Sequence, residues 1–102
     1  MVFTMSTRYN SVNDVELHVA GEMSGFAPDA LRVRIQGLIL TDRLDLLLIN
    51  LGQVTALSSA GIHTLLSGHI TAIEHGASYR VRYAHGEVRH FLQLAGVLDL
   101  LA

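Results

Sequence analysis

The alternation of apolar and polar residues predicts two strands near the start of the chain. Residues 15–19, Val-Glu-Leu-His-Val, alternate with a period of two, which is typical of a half-buried strand. The preceding stretch, Val2 to Tyr9, mixes β-branched and aromatic residues and is predicted to be a short edge strand. Residues 10–14 between them are rich in Asn, Asp and Ser, so the two strands are expected to form an antiparallel hairpin.

Two longer segments carry the spacing of amphipathic helices. Apolar residues share one face from about Pro28 to Leu40, and Pro28 sits in the first turn, where a missing backbone N–H is tolerated. The second segment has the clearest helical stripe in the chain and ends at His75-Gly76. The stripe marks the predicted apolar face of this helix and consists of Ile62, Leu65, Leu66, His69, Ile70 and Ile73.

The remaining elements complete an alternating order of strands and helices. The continuous apolar run 46–49 predicts a central strand buried on both faces, and 54–57 predicts a second, shorter extended piece. Residues 79–83 alternate as a strand, and a last helix is expected from about Glu87 to Ala95. Its inward positions are predicted to be Val88, Phe91, Leu92 and Ala95, with an apolar closing segment at 97–101.

The predicted order is therefore β-β-α-β-α-β-α. A hairpin followed by strand–helix alternation indicates an α/β fold, with a mixed β-sheet of about four strands covered by three to four helices. The length of 102 residues favours a single domain over residues 1–102.

Composition and charge exclude several classes of function. The chain has no cysteine, so disulfide scaffolds, thiol catalysis and cysteine-bound zinc are ruled out. Its basic residues are seven scattered arginines in a chain of net charge −2, which makes nucleic acid an unfavoured partner. No run of eighteen apolar residues is present and no secretion signal is recognised, so we expect a cytoplasmic protein that does not insert into membranes.

The strand-to-helix junction at residues 50–63 carries the candidate chemistry. Ser59 stands at the predicted helix start, where its hydroxyl could cap the helix, and Ser58 is the alternative cap. His63 follows Ser59 by four residues, but no glycine-flanked serine elbow and no placed carboxylate complete a nucleophilic site. Glu87 and His90 have the spacing of half a carboxylate-bridged metal site without its partners. We therefore expect no enzyme activity, no metal and no cofactor.

Four short motifs in order resemble a known family. They are Gly21-Glu-Met23, the strand 48–51 with its continuation 54–57, Ser58-Ser-Ala-Gly61, and the last helix with its glycine at 86–96. Together they resemble the STAS domain, in particular the bacterial anti-sigma-factor antagonists, over about residues 14–101. Where that family carries aspartate near its signature, this chain has Ser24, Asn50 and Ser58.

The resemblance implies a switch that acts by protein–protein contact and regulates transcription. Its partner would be an anti-sigma factor that is itself a histidine-kinase-like serine kinase, and Ser59 would be its phosphorylation site, with Ser58 as second choice. The expected partner-binding residues are Ser24, Ser58, Ser59, Ala60, Gly61, Ile62 and His63. Two alternatives stay open: an accessory subunit of a membrane transporter of the lipid-transport ATPase type, or a phosphorylation-independent STAS scaffold. The sequence also leaves open whether the domain forms a homodimer.

Overall fold

The computed structural model describes residues 3–102, except for the side chain of Asp42. Its elements are β1 (Thr4–Tyr9), β2 (Asp14–Met23), α1 (Ala27–Asp42), β3 (Leu46–Leu57), α2 (Ser59–Glu74), β4 (Ser78–Arg82), α3 (Gly86–Leu94) and α4 (Leu98–Leu101). The predicted α/β order is confirmed, and the apolar closing segment forms the short helix α4. Val2, with which the first strand was predicted to begin, lies outside the described residues.

The four strands form one mixed sheet in the order β1-β2-β3-β4. β1 pairs antiparallel with β2, as the turn-rich residues between them predict, and β2, β3 and β4 run parallel to one another. Each parallel connection passes through a helix, because two parallel strands need a long crossover. As a result the carboxyl ends of β2 and β3, and the start of α2, come together at one end of the sheet.

The core lies on one face of the sheet, which corrects the prediction for the central strand. Leu47, Ile49 and Leu51 of β3 are buried with all four helices, whereas Leu46 and Leu48 point to the other side and are only half-buried. Among the described residues, a single apolar cluster joins the sheet to the helices. The other face therefore stays open to solvent, so the apolar run 46–49 is buried on one side only.

The two extended pieces predicted at 46–49 and 54–57 belong to one long strand. Gly52 sits between them, where the pairing with β2 shifts register between His18 and Ala20. The backbone N–H of Gly52 donates to Asn50 Oδ1 at 2.8 Å, and a Cβ on Gly52 would approach that oxygen to 3.0 Å. Gly52 thus marks a β-bulge, which keeps the strand continuous while bending it.

Helix α2 packs through small residues, and the predicted apolar stripe is wrong at its C-terminal end. Gly68 and Ala72 are buried, whereas Ile70 and Ile73 are 57% and 62% exposed. The cause is Tyr79 of β4, whose hydroxyl lies under the helix and donates to the carbonyl of Leu65 at 2.9 Å. Burial raises the pKa of the Tyr79 hydroxyl, so it remains a protonated donor.

Helix α3 lies beside the second half of β3, beyond the last pair that β3 makes with β4. His85 Nε2 contacts the Gly52 carbonyl at 2.8 Å where the chain enters this helix. Val88 and Leu92 are buried and Phe91 is half-buried, as predicted. Ala95 is exposed, which corrects its predicted inward position, because the helix has ended and Ala95 is its C-cap.

A polar network crosses the open face of the sheet between β2 and β3. Asn50 Nδ2 donates to Glu16 Oε2 at 2.9 Å, and His18 Nε2 lies 2.9 Å from the same oxygen. The Asn50 hydrogen bond is the largest cause that lowers the pKa of Glu16, helped by Asn10 and by the charges of His18 and Arg8, against the opposing effect of burial. Glu16 is therefore held as a carboxylate on this face.

We predict that Gly68→Ala destabilises the protein by about 1 to 2 kcal/mol. The new Cβ would lie 2.6 Å from the Tyr79 hydroxyl oxygen, so α2 and β4 must separate, which outweighs the gain in helix propensity. Gly37→Ala in α1 is the matched control, because a Cβ at that position would have nothing within 4 Å, and it should stabilise by up to about 1 kcal/mol. Urea denaturation measures both free energies, and equal effects of the two variants would contradict the packing argument.

We predict that Asn50→Asp destabilises the protein in a pH-dependent way. Aspartate keeps the acceptor for the Gly52 N–H but removes the donor to Glu16 and adds a like charge. In the native protein the lowered Glu16 pKa contributes stability that is present above the unfolded value of 4.5 and is lost as pH falls through the folded value.

The free-energy gap between Asn50→Asp and the native protein should therefore be widest near pH 7 and narrow below about pH 4. Asn13→Asp, the same change in the exposed β1–β2 turn, is the control and should show a small gap throughout. Denaturant titrations between pH 3 and pH 7 test this, and a gap for Asn50→Asp that does not vary with pH would rule the network out.

Candidate functional site

The junction between β3 and α2 is held by Ser58. Its Oγ accepts a hydrogen bond from the Gly61 N–H at 3.1 Å and donates to the Met23 carbonyl at 3.0 Å. The Ser58 N–H also donates to that carbonyl, at 3.0 Å. Of the two caps that the sequence left open, the structure selects Ser58, and Ser59 is already the first helical residue.

Gly61 is required by close packing under the helix start. A Cβ at this position would lie 2.6 Å from Met23 Cγ and 2.7 Å from Leu57 Cδ1. The first turn of α2 can rest on the ends of β2 and β3 only if this residue has no side chain. The glycine of the serine-rich motif thus sets the position of the serines relative to the sheet.

The structure separates the predicted partner-binding residues into an exposed set and a buried set. Ser59, Ala60 and His63 are exposed on the first turns of α2, whereas Gly61 and Ile62 are buried beneath them. Ser24 is exposed in the loop after β2, next to the Met23 carbonyl that binds Ser58. All seven residues therefore belong to one end of the sheet, but only some of them present side chains to solvent.

Ser59 is one of the residues that line an open groove between α1 and α2, which we call the α1–α2 groove. It has a volume of about 490 Å³ and is lined by Pro28, Asp29, Arg32, Ser59, Ala60, His63, Thr64 and Ser67. The buried Thr64 hydroxyl donates to the Pro28 carbonyl at 3.1 Å and so ties the two helices together below the groove. The groove brings Arg32 and His63 to the same surface as Ser59.

The surroundings of Ser59 suit an added negative charge. No acidic residue occurs in the first turn of α2, where free N–H groups and the helix dipole favour anions. Arg32 pairs with Asp29 at 3.6 Å, but both side chains are well exposed, so this pair holds the guanidinium only weakly. Within residues 3–102 no side-chain hydrogen bond involves Ser59, so its hydroxyl is available to solvent.

The three positions where aspartate is replaced do not form one cluster. Ser24 and Ser58 lie at the junction, whereas Asn50 lies on the open face of the sheet and is bonded to Glu16. The neutral residue at position 50 therefore serves the polar network of the sheet. Of the three positions, only 24 and 58 lie near Ser59, so only there does a serine in place of aspartate make the surface around Ser59 less acidic.

The described residues give no arrangement for nucleophilic or metal chemistry at this site. No hydrogen bond joins Ser59 to His63 in the range 3–102, and the Asp29 carboxylate faces Arg32. In the same range no group of three or more His, Cys, Asp or Glu residues could hold a metal, and Glu87 and His90 are both exposed on α3. None of the helices described is long and apolar enough to cross a bilayer.

Sequence reasoning missed two exposed residues near the start of α1. Arg32 lines the groove together with Ser59, and Phe26, in the loop that also carries Ser24, is 79% exposed. Neither has a local sequence signal, because an exposed aromatic and a charged helix residue are common anywhere on a surface. Only the packing of α1 against α2 brings Arg32 to the groove.

Comparison with solved structures finds the same fold in three antagonist structures. The anti-sigma factor antagonist SpoIIAA in its unphosphorylated form has a TM-score of 0.84 at 16% identity, covering 94% of this chain and 84% of that chain. An anti-sigma factor antagonist from Mycobacterium paratuberculosis gives 0.79 at 22% identity, over 98% and 83%. The Bacillus cell fate determinant SpoIIAA in the phosphorylated form gives 0.77 at 15% identity, over 96% and 87%. At these identities the likeness is one of fold.

Sequence comparison gives the family. A search of curated proteins finds no significant match. The sequence model of the STAS domain, by contrast, matches residues 5–102, which is nearly the whole chain. The hairpin, the parallel strands and the helices described above are thus elements of a shared fold, and the chain belongs to the STAS domain family.

Proposed function

We propose that this STAS domain is a partner-switching regulator of the anti-sigma-factor-antagonist kind. It would bind an anti-sigma factor that is also a serine kinase, in the cytoplasm, and Ser59 would be the residue that this kinase phosphorylates. The observation that carries the proposal is the division of roles between two adjacent serines. The Ser58 hydroxyl makes two hydrogen bonds, whereas Ser59 presents a free hydroxyl on the first turn of α2.

The fold would tolerate a phosphate on Ser59. The group would project into the α1–α2 groove, close to Arg32 and His63 and to the positive end of the α2 dipole. No buried contact would have to break, because Ser59 is exposed. A phosphate on Ser58 would instead displace its bonds to Met23 and Gly61 and uncap the helix.

A bound partner would not tolerate the same phosphate. The exposed neighbours of Ser59 on α2 include the apolar Ala60, and the charged residues that line the groove, Asp29 and Arg32, both belong to α1. A partner that covers this surface must desolvate it, and a doubly charged group in such an interface is strongly unfavourable unless it is paired. Phosphorylation would therefore release the partner without unfolding the domain.

Incubation of the domain with its kinase and ATP should place phosphate on Ser59 and not on Ser58, because the reactive hydroxyl must be free. Mass spectrometry of proteolytic fragments locates the phosphate. Ser59→Ala should abolish labelling, and Ser58→Ala should retain it while destabilising the fold by about 1 kcal/mol through loss of the cap. Phosphate found only on Ser58 would contradict the assignment.

Ser59→Asp should weaken binding of the partner by about tenfold or more, with little change in thermal stability. The added carboxylate mimics part of the phosphate charge at the centre of the expected interface. Ser11→Asp in the β1–β2 turn adds the same charge at the opposite end of the sheet and should leave binding unchanged. Isothermal titration calorimetry with the purified partner measures both affinities.

The identity of the co-purified partner separates the proposal from its alternatives. A soluble histidine-kinase-like ATPase supports it, whereas a membrane transporter ATPase would indicate an accessory subunit of the transporter instead. If Ser59→Asp binds the kinase as tightly as the native domain does, the remaining alternative is a scaffold that does not depend on phosphorylation.

A further inference from the structure

The open face of the sheet carries a second surface, distant from Ser59. We call it the β3–β4 face. It is a shallow groove of about 450 Å³ lined by Leu46, Leu48, Ser78, Arg80, Arg82 and Tyr83. None of these residues belongs to the surface around Ser59. Arg80, Arg82 and Tyr83 are exposed, and the two leucines are half-buried between them.

The strand register divides the charges of the open face into two unequal halves. Glu16 of β2, Leu48 of β3 and Arg80 of β4 form one row across the sheet, and the next row joins His18, Asn50 and Arg82. The Glu16 carboxylate is already engaged by Asn50 and His18. The negative charge of Glu16 thus has its partners on β1, β2 and β3, where Arg8, His18 and Asn50 act on it.

The β4 half has no such compensation. Among the described residues no carboxylate lies within 4.0 Å of the guanidinium of Arg80 or Arg82. In the same part of the chain, the one side-chain hydrogen bond of this pair runs from Arg80 Nη1 to the Tyr79 carbonyl, at 3.0 Å. The positive charges of Arg80 and Arg82 therefore lie together, without a carboxylate partner, in a groove that also contains two leucines. The chain as a whole has a net charge of −2. A ligand for this face should be negatively charged.

The spacing of the two arginines specifies the shape of that ligand. They alternate with the buried Tyr79 and Val81, so both side chains point outward, about 6.6 Å apart along the strand. An extended peptide repeats its side chains at the same distance. Alternate acidic residues of such a peptide would meet both guanidiniums, whose aliphatic stems line the same groove as Leu46 and Leu48.

The backbone of β4 offers a further point of attachment. β4 is the last strand in the sheet order and, within the described chain, pairs with β3 alone, so its outer edge has no partner strand there. Exposed sheet edges bind extended peptides by main-chain hydrogen bonds, with side chains providing selectivity. We propose that the β3–β4 face binds an acidic, extended segment of a partner protein, selected by Arg80 and Arg82.

Charged residues on edge strands also serve to prevent edge-to-edge aggregation. That role requires charge alone and predicts no selective affinity for a peptide. Binding measurements therefore distinguish the two roles.

The test uses a fluorescein-labelled ten-residue peptide of alternating glutamate and threonine, with a lysine–threonine peptide as the opposite-charge probe. Fluorescence anisotropy with the full chain should show binding of the acidic peptide only, weakening as salt is raised. Arg82→Glu and Arg80→Glu combined should lower the affinity by about tenfold or more. Arg82→Glu alone is compared with Arg89→Glu, the same charge reversal at an exposed position of α3, which should stay within about twofold.

Several outcomes would overturn the proposal. These are absence of binding by the native chain, equal loss in Arg89→Glu and Arg82→Glu, or full competition by inorganic phosphate, which would indicate a small-anion site. Arg82→Gln removes the charge without reversing it and should also weaken binding, so the test does not depend on whether the Arg→Glu variants fold. Circular dichroism checks the fold of each variant. Ser59→Asp should bind the peptide as the native chain does, because the β3–β4 face is separate from the Ser59 surface. Weaker binding of the acidic peptide by Ser59→Asp would also overturn the assignment.

Discussion

The Met23 carbonyl oxygen is the atom on which the geometry of the candidate site depends. It accepts two hydrogen bonds from Ser58, one from the backbone N–H and one from the side-chain hydroxyl. These bonds fasten the last residue of β2 to the first turn of α2 across 35 positions of sequence. Gly61 allows the contact, because any Cβ there would collide with the Met23 side chain. The position of Ser59 follows from this junction and needs no contact of its own.

That junction gives two neighbouring serines different surroundings. A serine that caps a helix has its hydroxyl committed and partly buried, and changing it costs stability. A serine one residue later has helical backbone, a free hydroxyl and the same favourable dipole. The fold can therefore carry a modifiable group at the helix start while its cap stays intact. The replacement of an acidic residue by Ser58 leaves this arrangement in place, since a hydroxyl caps the helix as a carboxylate would.

The sequence predicts the elements well where a local rule determines them. Alternation at residues 15–19 and the proline near the start of α1 each identify their element, and the serine pair marks the start of α2. It fails where a distant residue decides the local geometry. Gly52 is a residue typical of turns but forms a bulge, because β3 continues alongside β2 there. Helix α2 buries Gly68 and leaves Ile70 exposed, because the Tyr79 side chain lies under Gly68. The serine that caps the helix could not be chosen from sequence, because the Met23 carbonyl that selects it is brought there by the sheet.

The arginines show the same limit, and here topology changes the functional conclusion. Along the chain they are scattered, and that dispersion argues against a nucleic-acid partner. Once folded, Arg32 lies beside Ser59, whereas Arg80 and Arg82 stand together on the opposite face of the sheet. Glu16 makes its contacts with Asn50 and His18, so its carboxylate does not neutralise Arg80 and Arg82. A one-sided sheet thus leaves two surfaces of different chemistry, and a single partner that contacts one of them leaves the other available.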